Sequence, residues 1–182
     1  MANEIPVYLF VGFLESGKTK FIQETFEDPN FDSGDKTLLL VCEEGEEEYN
    51  EKKFAFPGVT LYNLEDKAEL NPQNLAKLAK EADAGRVVIE YNGMWQVSEF
   101  EKMKLPAGWA IEQKITTVDA STFQMYLTNL KPLFVEMVKG AELVLFNRCE
   151  DKKPLAGYRR SVKVVSPQAC LLYTSAAADE GL

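Results

Sequence analysis

Eight consecutive residues, Gly12-Phe13-Leu14-Glu15-Ser16-Gly17-Lys18-Thr19, carry the most specific chemistry in the chain. They match G-x-x-x-x-G-K-[ST], a loop whose backbone N–H groups turn inward around a phosphate at the positive end of the helix that follows. Lys18 is placed to reach terminal phosphates and the Thr19 hydroxyl to ligate Mg²⁺. Gly12, Glu15, Ser16, Gly17, Lys18 and Thr19 are therefore the candidate phosphate cradle. Such a loop needs a second carboxylate on the metal side, at the tip of a neighbouring strand. Val87-Val88-Ile89-Glu90 supplies one, and Gly93 leaves room for a backbone N–H to face the terminal phosphate. A third element, Asn147-Arg148-Cys149-Glu150, ends a later apolar run. There an asparagine amide suits a purine, an arginine stem suits its face, and a carboxylate at Glu150 suits a guanine N–H pair.

Composition narrows the chemistry further. The 182 residues contain no histidine, which excludes Ser-His, Cys-His and His-ligated metal mechanisms and narrows catalysis to carboxylates, lysine, hydroxyls, thiols and bound ions. Lys18 and Glu90, at the phosphate loop and the neighbouring strand tip, are the expected catalytic groups. A net charge of -9 opposes binding to nucleic acid or to an anionic membrane. Cys42, Cys149 and Cys170 are odd in number and widely spaced, so neither a disulfide framework nor a CxxC metal knuckle is available. The N-terminus lacks the basic region of a secretory signal and no apolar run reaches a membrane span, so a cytoplasmic protein is expected.

The elements that must position these residues follow from the hydrophobic pattern. Apolar runs at 5–11, 37–42, 59–62, 86–90, 110–118 and 142–146 read as strands. Amphipathic stretches at 18–26, 71–84 and 121–139 read as helices, and 154–165 as a last helix with the start of a strand. Strands alternating with helices predict an α/β protein, a P-loop NTPase with a mainly parallel sheet flanked by helices on both faces. Phe10, Trp95, Phe100 and Trp109 are expected in the core, and Phe13, inside the loop, is the one aromatic expected to reach a partner.

Taken together, VYLFVGFLESGKTKF, Glu90-Tyr91-Asn92-Gly93, TTVDASTF and LFNRCED resemble the nucleotide-binding domain of CobW-like GTPases, relatives of the nickel chaperones of urease and hydrogenase maturation. The resemblance runs over about residues 5–168. It implies a Mg²⁺-dependent GTP-binding and GTP-hydrolysing switch that is slow without a partner, with Lys18, Thr19 and Glu90 at the phosphates and Asn147 at the base. It also implies a client protein in metalloenzyme or cofactor maturation, with a homodimer among the expected assemblies. Three departures stand out. Arg148 and Glu150 replace the Lys and Asp of the family's base motif, Glu15 fills a position commonly held by glycine, and Cys42-Glu43-Glu44-Gly45-Glu46-Glu47-Glu48 stands where many members carry Cys-x-Cys-Cys after the second strand. The acidic run lacks soft ligands, reads as a solvated loop or switch segment, and supports no metal cargo.

The same loop would serve a small-molecule kinase, for which Arg159-Arg160 are the candidate lid charges, or a nucleotide-binding module or truncated fragment without catalysis. Cys170-Leu171-Leu172-Tyr173-Thr174-Ser175 and the residues after it look like a translated sequencing adaptor. The expected organisation is therefore a GTPase domain over 1–169 lacking its last strand, with 170–182 a tail.

Overall fold

The computed structural model describes residues 4–149 and 155–174. Seven strands, β1 (Ile5–Val11), β2 (Thr37–Val41), β3 (Val59–Asn63), β4 (Arg86–Glu90), β5 (Trp109–Asp119), β6 (Leu143–Asn147) and β7 (Cys170–Tyr173), form one sheet in the order β3-β2-β4-β1-β5-β6-β7. Every pairing is parallel. The helices are α1 (Lys18–Glu27), α2 (Pro72–Glu81), α3 (Val97–Lys102), α4 (Phe123–Asn129), α5 (Lys131–Val138) and α6 (Leu155–Val165).

Strand periodicity explains how both faces are covered. Every residue of β2 and β4 is buried, and alternate side chains join different cores. Leu38, Leu40, Val87 and Ile89 pack with Leu75 and Leu78 of α2, whereas Leu39, Val41 and Val88 pack with Ile22 and Phe26 of α1. The parity of Val88 places Glu90 on the α1 side of the sheet, toward the first turn of that helix.

Register then brings the sequence motifs to one edge. Phe10 lies opposite Glu90, Val41 opposite Glu90 on the other flank, and Asp119 opposite Asn147. The chain leaves β1 for strands on one side and later returns to β5 on the other, so the carboxyl end of β1 is the topological switch point where α/β folds form a ligand crevice.

Two expectations are corrected by the backbone. The stretch 121–139 is not one helix: it breaks at Leu130 (φ -130, ψ 38) into α4 and α5, with Pro132 in the first turn of α5. The proline has no N–H to donate and its ring crowds the carbonyl four residues back. The segment through Val165 is entirely helical from Leu155, so it starts no strand. The strand beside β6 is β7, whose Leu143↔Cys170 to Phe146↔Tyr173 pairing uses residues assigned above to the tail. Among the described residues no helix is long and apolar enough to cross a membrane.

Candidate functional site

The loop after β1 is built by close backbone approach. A Cβ on Gly12 would lie 2.5 Å from both Ser16 Oγ and Thr117 Oγ1, and one on Gly17 (φ 98) would collide with the Asn147 amide, so neither position accepts a side chain. Gly17 is also the N-cap of α1 and offers no side-chain acceptor. The first-turn N–H groups, with the positive end of the helix dipole, are thereby left for an anion. Glu15 sits at φ 59, a left-handed conformation that favours glycine. Its carboxylate turns away from the loop to accept the N–H of Glu46 at 3.2 Å.

Lys18 is buried. Its ammonium donates to the carbonyls of Gly12 (2.5 Å) and Phe13 (3.1 Å) and pairs with the Glu43 carboxylate at 2.8 Å. The other Glu43 oxygen accepts the backbone N–H of Gly93, also at 2.8 Å. Gly93 is required by proximity, because a Cβ there would lie 2.6 Å from Leu14 N and 2.8 Å from Gly12 O. The loop after β4 thus packs directly on the loop after β1. Cys42 N donates to Glu90 O, and the Asn92 amide donates to Cys42 O, which fastens the loop after β2 to the same place.

Thr19 and Glu90 meet as their spacing suggested. The Thr19 hydroxyl donates to Glu90 Oε1 at 2.6 Å, and Tyr49 donates its hydroxyl to Glu90 Oε2 at 2.5 Å. Burial pushes the Glu90 carboxyl above its ordinary value, opposed by the hydroxyls of Thr19 and Tyr49 and by the charge of Lys18. Burial, followed by the charge of Glu90, pushes the Tyr49 hydroxyl up as well. A hydroxyl beside a carboxylate at a phosphate loop is a hard oxygen donor set, which fits Mg²⁺ and does not fit a soft metal. Among the described residues no group of three His, Cys, Asp or Glu side chains is arranged to hold a metal.

At the end of β6, the Asn147 amide donates to Ser16 O at 2.5 Å, while its Oδ1 is buried with no partner. Arg148 adopts φ 54 and swings back over the loop, donating to Glu15 O (3.1 Å) and pairing with Asp119 Oδ2 at 2.5 Å. Glu150 lies outside the described residues. Ser16 Oγ shares a hydrogen bond with Thr117 Oγ1 at 2.7 Å. Phe13 is corrected: it is buried and stacks on Tyr126 with ring centroids 4.1 Å apart, so it presents no face to a partner.

Sequence reasoning missed Glu43, Tyr49 and Thr117 as individual residues, and it placed Arg148 at the base without its pairing to Asp119. The available signal for Glu43 was its place just past β2, the strand that flanks β4.

A parallel sheet with the phosphate loop at its switch point, a lysine and hydroxyl opening α1, and a carboxylate at the tip of the adjacent strand defines a P-loop nucleotide-binding domain. Comparison makes the assignment narrower. The family model described as CobW/HypB/UreG, nucleotide-binding domain, matches residues 6–171, and the chain belongs to that family. Among solved structures it is similar to Zn(II)-bound YjiA GTPase from E. coli (TM-score 0.65, 19% identity), covering 93% of this chain and 57% of that one. It is also similar to hydrogenase maturation factor HypB from Archaeoglobus fulgidus (TM-score 0.63, 16% identity; 98% and 84% covered). HypB from Helicobacter pylori in complex with nickel is a third (TM-score 0.60, 15% identity; 95% and 80% covered). At these identities the likeness concerns the fold, and the chain spans little more than half of the YjiA chain. No individual curated protein matches the sequence.

Proposed function

We propose that this chain is a Mg²⁺-dependent GTP-binding switch that hydrolyses GTP slowly on its own. The observation that carries the reading is the Thr19 hydroxyl 2.6 Å from Glu90 Oε1, in the first turn of a helix whose phosphate loop also holds Lys18. Mg²⁺, when bound, neutralises charge on the phosphate oxygens. Thr19 and Glu90 would hold it, Lys18 would balance the terminal phosphates, and the N–H groups from Gly12 to Thr19 would cradle the rest.

Hydrolysis breaks the bond between the terminal phosphorus and its bridging oxygen as water attacks from the opposite side, releasing phosphate and GDP. Positioning and charge are what this site offers that reaction, because no histidine exists to take the proton. Slow turnover follows, to be raised by a partner that adds a missing group.

Guanine preference rests on family membership and on Asn147, whose amide already bonds the loop and whose Oδ1 lacks a partner. The family relation also supports a client protein in metal or cofactor maturation. The zinc and nickel of the similar structures belong to those proteins, and no transition-metal cargo is assigned to this chain.

The test is equilibrium titration with GTP and with ATP, each with Mg²⁺, beside Lys18→Ala. Tighter binding of GTP, lost in the variant, is the expected result. ATP preference would shift the reading to a kinase, and binding of neither by a cooperatively folded chain would overturn it.

A further inference from the structure

Glu43 makes the two contacts that a terminal phosphate would claim. One carboxylate oxygen pairs with the Lys18 ammonium at 2.8 Å and the other accepts the Gly93 N–H at 2.8 Å. The side chain is only 8% exposed and that of Lys18 only 2%, so this is a desolvated ion pair and not a fluctuating surface contact. Glu43 belongs to the loop after β2, whereas Lys18 and Gly93 belong to the loops after β1 and β4. The carboxylate therefore closes the site across three strands.

Space points the same way. The cavity bounded by Gly17, Lys18, Thr19, Glu43 and Glu90 measures about 20 Å³, room for about one water. A terminal phosphate bonded to the Lys18 ammonium and the Gly93 N–H would take the place that the Glu43 carboxylate fills. On the far side Glu43 borders a cleft of about 940 Å³.

The segment that bears Glu43 is tied down at two further points, and both anchors are site residues. Glu46 N–H donates to the Glu15 carboxylate and Tyr49 donates to Glu90. Three tethers, to Lys18 with Gly93, to Glu15 and to Glu90, hold residues 43–49 on the nucleotide site.

We propose that Glu43 is a built-in surrogate for the terminal phosphate, an anionic plug that GTP must displace and GDP need not. The reading rests on the GTP-binding function proposed above and adds its regulation. Exchange of one anion for another at Lys18 and Gly93 frees the acidic strap 43–49, so occupancy of the terminal-phosphate position is converted into release of a surface segment. A ligand lacking that phosphate leaves the bridge in place and the strap closed.

The experiment compares wild type, Glu43→Ala and Glu43→Gln, each first shown to unfold cooperatively. Affinities for GDP and for a non-hydrolysable GTP analogue are measured with Mg²⁺. Removing the plug is expected to tighten the GTP analogue by about tenfold or more while changing GDP by less than about threefold. Glutamine, which keeps the shape and loses the charge, is expected to shift in the same direction. In a parallel digestion with a glutamate-specific protease, wild-type 43–49 is expected to resist cleavage alone and with GDP, and to become cleavable with the GTP analogue or in Glu43→Ala.

Weaker binding of the GTP analogue by both variants would show that Glu43 serves the bound nucleotide and would overturn the proposal. An equal change for both nucleotides would do the same. If both nucleotides bind but the strap's cleavage never responds, the plug is also overturned while the GTP-binding reading stands. If none of the three proteins binds either nucleotide, the reading itself fails and the proposal with it.

Discussion

Tyr49 reaches from the acidic segment after β2 to cap the Glu90 carboxylate at 2.5 Å, opposite the 2.6 Å hydrogen bond that Thr19 makes to the other oxygen. Two hydroxyls thus satisfy one buried carboxylate from both sides. The segment with the most negative composition in the chain is anchored to Glu90 through a neutral donor, so this contact itself adds no charge.

Removing that donor tests the anchor. Tyr49→Phe keeps the ring and leaves Glu90 with one fewer partner in a buried position. A loss of about 1–3 kcal/mol in unfolding free energy is expected. The Tyr49 hydrogen bond lowers the Glu90 value, so its removal raises that value further. The loss should therefore be greater at higher pH, which favours the ionised form, than in mild acid. Urea midpoints at two pH values check both parts, and an equal loss at both would contradict the assigned role.

The pH dependence of Glu90 itself has a definite sign. Burial raises its folded value above the ordinary 4.5. Between 4.5 and the folded value the native chain holds a proton that the unfolded chain has released, so unfolding free energy falls as pH rises through this window. Glu90→Gln removes the titration. The wild type should therefore lose stability relative to the variant on going from about pH 4.5 upward. Urea midpoints across that range measure the change with pH, which should flatten below the window, and a change of opposite sign would exclude the burial argument.

Much of this site could be read from the sequence because its parts are local. The spacing from Gly12 to Thr19, the apolar run ending at Glu90, and Asn147 after another such run each announce themselves within a few residues, and all three arrive at one sheet edge. The fold was legible for the same reason, since continuous apolar runs such as those of β2 and β4 mark strands covered on both faces. Glu43 and Tyr49 were not legible as individuals. Both sit in a run of carboxylates with no periodicity, and their roles depend on β2 lying beside β4 and on the parity that turns Glu90 toward α1. The break at Leu130 was hidden differently: Pro132 was visible, but a proline serves equally well in the first turn of a new helix as at the kink of a long one.

The three thiols should separate by environment. Burial, with the charges of Glu90 and Glu43, pushes the Cys42 thiol up to about 12, and Cys42 is 3% exposed. At about pH 8 its thiolate is then roughly one part in ten thousand. Cys149 is half-buried and raised by burial, while Cys170 is exposed. Alkylation followed by mass spectrometry should label Cys170 first, Cys149 more slowly, and Cys42 only when the chain unfolds. Early labelling of Cys42 would mean that the loop after β2 opens readily.

Gly93 offers the sharpest separation of packing from charge. Its Cβ would meet backbone atoms, Leu14 N at 2.6 Å and Gly12 O at 2.8 Å, and backbone cannot rotate away as a flexible side chain can. Gly93→Ala must push apart the loops after β1 and β4, and a cost of about 1–3 kcal/mol in stability is expected. The same displacement spoils both the phosphate cradle and the N–H that faces Glu43. GTP affinity should therefore fall by at least about tenfold, the equivalent of 1.4 kcal/mol, and a fall of the same size should separate Glu43→Ala from the double variant Gly93→Ala with Glu43→Ala. If Gly93→Ala cost nothing once Glu43 was already alanine, the damage would lie in a tighter plug. If the cost remains, the alanine has deformed the loop itself, the outcome that the backbone distances require.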